Sequence, residues 1–168
     1  MKEQYLMALQ QLEALLQGEH YEMSVLANAA AAIHEATGYF WVGFYVVRQE
    51  ELLLGPFQGS VACMHIPFGK GVCGTAWKER RSIVVDDVHL FPGHIACSSL
   101  SRSEVVVPLF DSEGQVQAVL DVDSTELADF DADDVAFLEQ AAHIVEVTLN
   151  NERCTLNIAN CPQVKKNL

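Results

Sequence analysis

From Tyr39 to Val47 every residue is aromatic, valine or glycine. A run of that kind suits a pleated, half-buried strand. What surrounds it constrains the fold further. Before it, Tyr5, Ala8, Leu9, Leu12 and Leu16 recur at helical spacing until Gly18 interrupts. A second helix is expected from Tyr21 through Ala29–Ala32 to Thr37, with Gly38 as a left-handed cap. After it, Glu51–Phe57 reads as a hairpin partner and Ser60–Ile66 as a third strand. Gly71–Arg80 reads as a short helix and Ser82–Val85 as a short strand. Two further strands, Glu104–Phe110 and Gln115–Ser124, flank the hairpin turn Asp111-Ser112-Glu113-Gly114. The last helix is expected from Asp131, with Asp134 completing the cap, Phe130 and Val135 forming a hydrophobic staple, and Leu138, Ala141, Ala142, Val145 and Leu149 facing inward.

Helices at both ends with consecutive strands between them predict an α+β domain. Its central sheet is mainly antiparallel, with the helices from both termini packed on one face. The chain divides into helices over 1–37, the sheet and site region with the C-terminal helix over 38–150, and a weakly patterned tail over 151–168, all as a single domain of 168 residues.

Charge narrows the partners. The net charge of −13, from 10 basic and 23 acidic residues, repels phosphate backbones and anionic lipid, so neither nucleic acid nor membrane is expected. Arg80-Arg81 and Lys165-Lys166 are too short to form basic patches. The N-terminus lacks the apolar run of a signal peptide, and no stretch approaches the length of a membrane span, so a cytoplasmic setting is expected. Thiols there stay reduced, and Cys63, Cys73 and Cys97 therefore need a reason other than a disulfide scaffold.

Alternation along the strands sorts the side chains. Val42, Phe44 and Val46 oppose Trp41, Gly43 and Tyr45; Val105, Val107 and Leu109 oppose Glu104 and Val106; Leu120 and Val122 oppose Asp121 and Asp123. Each strand has an aliphatic face and a second face mixing aromatics with acids. If the second faces coincide, they form a cup floored by Trp41 and Tyr45 and rimmed by Glu104, Asp121 and Asp123. Crowded carboxylates cannot all ionise, so at least one pKa should rise and supply a proton donor near neutral pH. The plainer reading is that these acids solvate the outer face of the sheet, and the residues alone leave both standing.

Cys97 lies in Pro92-Gly93-His94-Ile95-Ala96-Cys97-Ser98-Ser99, within the aperiodic stretch Asp86–Ser103. Long irregular loops in compact domains are often functional. Small residues there leave backbone N–H groups free for a ligand, and a thiol in that setting is a plausible nucleophile if its pKa is lowered. Cys154 and Cys161 read as structural. A zinc site from His89, His94 and Cys97 with Cys63 or Cys73 is the rival, weakened by the lack of tight ligand spacing. Gly69–Gly74 matches G-x-G-x-x-G, but the chain lacks the βαβ alternation a dinucleotide site requires; the glycines are expected to shape a turn carrying Cys73.

Ala62-Cys63-Met64-His65-Ile66, Gly69-Lys70-Gly71-Val72-Cys73-Gly74 and Gly93-His94-Ile95-Ala96-Cys97 occur in order, followed by Ser103-Glu104-Val105-Val106-Val107-Pro108-Leu109 and Leu120-Asp121-Val122-Asp123-Ser124. Together they closely resemble the free methionine-(R)-sulfoxide reductases, small enzymes built on a GAF domain, over roughly Gly38 to Ala142. That resemblance implies Cys97 as catalytic cysteine, Cys63 as principal resolving cysteine and Cys73 as a third. It implies Glu104, Asp121 and Asp123 as substrate-binding and catalytic acids, Trp41 against the substrate methyl group with Tyr45 beside it, and backbone N–H groups of Ile95, Ala96 and Cys97 near the developing charge. No bound cofactor is implied; thioredoxin is the external reductant, and a homodimer is expected. A non-catalytic GAF sensor of a small ligand or of redox state is the alternative.

Overall fold

The computed structural model describes residues 1–95 and 97–156, the side chains of 152–156 excepted. The elements follow in the order α1 (Glu3–Leu16), α2 (Glu22–Thr37), β1 (Trp41–Arg48), β2 (Glu51–Gln58), β3 (His65–Pro67), α3 (Gly71–Glu79), β4 (Ile83–Val85), β5 (Ser103–Phe110), β6 (Val116–Ser124) and α4 (Ala132–Leu156). The strands form one antiparallel sheet in the order β3-β2-β1-β6-β5-β4. The expected α+β architecture is present.

Local chemistry explains the boundaries. Gly38 ends α2 at φ 71°, and its N–H donates to His34 O at 2.8 Å. At the start of α4, Asp134 N–H donates to Asp131 Oδ1 and Asp131 N–H to Asp134 Oδ2, both at 2.9 Å, a reciprocal cap. The same Asp134 carboxylate accepts from Tyr5 Oη at 2.6 Å and Lys2 Nζ at 2.7 Å, tying the N-terminus to α4.

The aliphatic side of each central strand behaves as alternation requires. Val42, Phe44, Val46, Val105, Val107, Leu109, Leu120 and Val122 join one core with the inner faces of α1, α2 and α4. Within it α2 lies on β1 and β2 and α4 on β5, while α1 packs chiefly on α2 and α4 as an outer layer. The opposite side of the sheet carries α3 and a second core containing Trp41, Tyr45, Cys73, Val106 and Val119.

One expected strand is corrected. Pairing with β2 covers only His65–Pro67, and Ser60–Met64 runs free of the ladder except for Leu54 N–H donating to Met64 O at 3.0 Å. Upstream, the β1–β2 register slips between Gly43 and Tyr45, beside Gly55-Pro56 on β2, where proline has no N–H to give the ladder. Gly59 at φ 136° then turns the chain toward Trp41. No helix among the described residues is long and apolar enough to cross a membrane. The side chain of Cys154, and all of Cys161, lie outside the described residues.

Candidate functional site

Strand register brings the acids together. Trp41 pairs with Asp123, Gly43 with Asp121, and Glu104 with Asp123 across neighbouring strands. The bare Gly43 is required there, because a Cβ would strike the Trp41 indole and lie 2.5 Å from Phe57 Cβ. Trp41 stacks on Phe57 at 5.2 Å between ring centroids and on Tyr45 at 6.1 Å. Above this floor opens a cleft of about 510 Å³, counted out to solvent, walled by Cys73 of α3, by His94, Ile95 and Cys97, and by Glu104, Asp121 and Asp123.

The acids form its inner wall and not its rim. Glu104 and Asp121 are buried, and Asp121 Oδ1 has no hydrogen-bond partner among the described residues. Burial, then the neighbouring Asp121 and Asp123, pushes Glu104 well above the usual carboxylate range. Burial and Asp123 do the same to Asp121. Asp123 rises to about 6, again through burial, against a hydrogen bond from Ser101 that holds it down. No Lys or Arg lines the cleft among the described residues. The arrangement is a low-dielectric pocket that stores protons or attracts a cation.

Cys63 and Cys97 are joined in a disulfide across the mouth, with Cα atoms 5.2 Å apart. That separation is ordinary for a disulfide. Cys73 is a buried free thiol, its Sγ 4.0 Å from Glu104 Oε1. Burial, then Asp121 and Glu104, pushes this thiol well above its ordinary value, which keeps it protonated and weakly nucleophilic. The glycines around it act as a turn: Gly69 and Gly71 have φ 71° and 61°, Gly69 N–H donates to Gly74 O at 3.0 Å, and a Cβ on Gly74 would lie 2.6 Å from Pro67 O.

Other expectations change. The Cys97 N–H, expected to be free for a ligand, donates to Ile95 O at 3.0 Å in this disulfide state. Ala96 lies outside the described residues. The zinc set does not assemble: Cys63 and Cys97 are bonded to each other, and His89 is exposed and paired with Asp87 at 3.1 Å. Among the described residues the ligand atoms that come within 4.8 Å of one another are those of Cys73, Glu104 and Asp121, so a cation would be held there. His94 instead faces the acids, Nε2 4.0 Å from Glu104 Oε2, and burial then His89 lowers its pKa so that the ring is neutral. Ser101 was not legible as a site residue; the only local signal is the small polar run around it. Trp41 Nε1 donates to Ser60 O at 3.0 Å and Tyr45 Oη to Cys63 O at 3.0 Å, so both aromatics also grip the segment that carries Cys63.

Comparison with known proteins agrees with this fold. The model of the GAF domain family matches residues 22–150. GAF domain-containing protein A of Dictyostelium discoideum is 51% identical over 86% of this chain and 92% of its own length. The free methionine-R-sulfoxide reductase of Escherichia coli K12 is 44% identical over 81% of this chain and 82% of its own. Among solved structures, the free methionine-R-sulfoxide reductase of Neisseria meningitidis in complex with its substrate superposes with a TM-score of 0.86 at 50% identity, covering 90% of this chain and 91% of that one.

Proposed function

Because the chain belongs to the GAF-domain family and, within it, to the free methionine-(R)-sulfoxide reductases, we propose that it reduces free L-methionine (R)-sulfoxide to L-methionine with thioredoxin as reductant. The observation that carries this reading is the Cys63–Cys97 disulfide at the mouth of a cleft walled by Glu104, Asp121 and Asp123.

With that disulfide reduced, the Cys97 thiolate attacks the sulfoxide sulfur while a protonated carboxyl donates to the sulfoxide oxygen. Methionine leaves, and Cys97 retains the oxygen as a sulfenic acid. Cys63 attacks the Cys97 sulfur, water leaves, and the disulfide forms. The sum is one sulfoxide and two thiols giving methionine, a disulfide and water. A thioredoxin dithiol restores both thiols by exchange. Glu104, buried against Asp121 and Asp123 with its pKa raised, is the carboxyl assigned as proton donor. Trp41 packs on the substrate methyl group with Tyr45 beneath it. The remaining carboxylates hold the substrate ammonium, a charge that peptide-bonded methionine lacks.

The reaction fits a cytoplasmic setting, where thioredoxin keeps such disulfides turning over. A homodimer is proposed as well, although the stripe of Tyr5, Leu9, Leu12 and Leu16 is spent in the chain's own core. The support is Met7 and Leu15, exposed at 54% and 47% on one side of α1.

The deciding experiment offers racemic free methionine sulfoxide to the purified protein with thioredoxin and its NADPH-dependent reductase. Consumption of the (R) epimer alone is expected. If neither epimer is consumed the reading fails, and tight binding without turnover would favour a sensor.

A further inference from the structure

We propose that Tyr45 is a positioning residue for the disulfide: its hydroxyl, donating to Cys63 O at 3.0 Å, holds Cys63 as the stationary partner toward which Cys97 moves. This deepens the function proposed above and rests on it only for the meaning of the disulfide.

The Cys63 segment has no ladder of its own, yet three successive anchors fix it. Trp41 Nε1 donates to Ser60 O at 3.0 Å, Tyr45 Oη to Cys63 O at 3.0 Å, and Leu54 N–H to Met64 O at 3.0 Å. Trp41, Tyr45 and Leu54 all belong to the two paired strands β1 and β2, so the segment is bound to the sheet. Tyr45 itself is 1% exposed. The Cys97 side is held differently. Cys97 N–H donates to Ile95 O at 3.0 Å and His94 N–H to Phe91 O at 3.1 Å, both bonds internal to the loop. Ile95 rests on the bare Gly71, where a Cβ would approach its Cγ1 to 3.3 Å. One cysteine is thus tied to the sheet, while the hydrogen bonds at the other stay within its own loop.

A hydrogen bond to the Cys63 carbonyl matters most in the dithiol state. In the disulfide state the covalent link restrains Cys63 by itself; in the dithiol state only the three anchors do. Removing one raises the freedom of the dithiol and lowers the effective concentration of Cys63 at Cys97.

The test is the equilibrium with glutathione, in which oxidised glutathione and the Cys63/Cys97 dithiol exchange to reduced glutathione and the protein disulfide, followed by mapping the disulfide peptide. Tyr45→Phe keeps the ring and removes the hydroxyl. The equilibrium constant should fall threefold to tenfold, a tenfold fall being a rise of about 30 mV in potential. Tyr5→Phe removes another buried hydroxyl, the one donating to Asp134, and should leave the constant unchanged. A Tyr45→Phe constant within twofold of the native value, or equal shifts in both variants, overturns the proposal. A second measurement needs no variant. When the native protein is reduced, exchange of the Cys97 amide, which donates to Ile95 O, should accelerate, while that of the Leu54 amide, which donates to Met64 O, should stay slow; equal acceleration on both sides overturns the proposal. Neither measurement involves methionine sulfoxide, so their failure leaves the reductase reading intact, and a failed turnover assay leaves them intact.

Discussion

Glu104 and Asp123 are directly opposed on β5 and β6, two carboxyls in one rung of the sheet with Asp121 on the next position of the same face. Like charges so placed are destabilising when ionised. Burial raises all three pKa values, Asp123 to about 6 and Glu104 and Asp121 well above the usual carboxylate range. A carboxyl with a raised folded pKa keeps its proton after the unfolded chain has lost its own, so the folded state binds more protons and stability falls as pH rises. For Asp123 the stabilisation is fully present below about pH 4 and lost as pH rises through about 6; Glu104 and Asp121, raised in the same direction, act with the same sign. The melting temperature of the protein without substrate should therefore fall from about pH 4.5 to 7. Glu104→Gln should flatten that fall, raise the melting temperature at pH 7 and cost about 100-fold or more in turnover. A melting temperature that climbs over this range would contradict the buried-acid account.

Cys97→Ser should abolish reduction of free methionine sulfoxide, since the other cysteine that lines the cleft, Cys73, is buried with its pKa pushed well above the ordinary value. Cys63→Ser should still release one methionine per chain and then stall or recycle slowly. Normal multiple turnover with thioredoxin in Cys63→Ser, read by NADPH consumption, would refute its resolving role.

Cys73 should resist alkylation. In the folded, oxidised protein at about pH 8, iodoacetamide should leave the Cys73 peptide unmodified, and the same peptide should react fully in denaturant. The cause is burial, with Asp121 and Glu104 opposing formation of a thiolate. Rapid labelling in the folded state would show that the thiol reaches solvent.

Gly43→Ala places a methyl group where the Trp41 indole and Phe57 Cβ already sit. Overpacking of this kind costs about 1–3 kcal/mol. Trp41 must shift, so the Michaelis constant for sulfoxide should rise and the tryptophan emission should change. An unaltered Michaelis constant would argue that Trp41 does not touch the substrate.

Asp134 tests the other arm of the pH profile. Although burial opposes ionisation, hydrogen bonds from Lys2, Tyr5 and the Asp131 N–H hold its pKa down to about 2. A depressed carboxyl contributes stability that is present above about pH 4 and lost as pH falls through about 2. Asp134→Ala should cost about 1–2 kcal/mol at pH 7, as lost caps do, and much less near pH 2. Equal losses at both pH values, measured by urea unfolding, would exclude a role for the charge.

Local patterning decided the two faces of the sheet and the ends of the helices. Side chains alternate with period two, so Val42, Phe44 and Val46 had to oppose Trp41, Gly43 and Tyr45, and the core confirms that division. Asp131 and Asp134 announced the α4 cap because both groups lie within one helical turn. The convergence of Glu104, Asp121 and Asp123 depended on register between separate strands, and a slip of one residue would have turned the acids to the other face. The path of Ser60–Met64 also lay beyond local reading. Its apolar run Val61-Ala62-Cys63-Met64 reads like a strand, but Trp41 and Tyr45 take the Ser60 and Cys63 carbonyls for their own hydrogen bonds and lead Cys63 away from the ladder to Cys97. Which residues face which side follows from spacing along one chain segment. Which of them meet is set by partners distant in sequence, and those only the tertiary structure supplies.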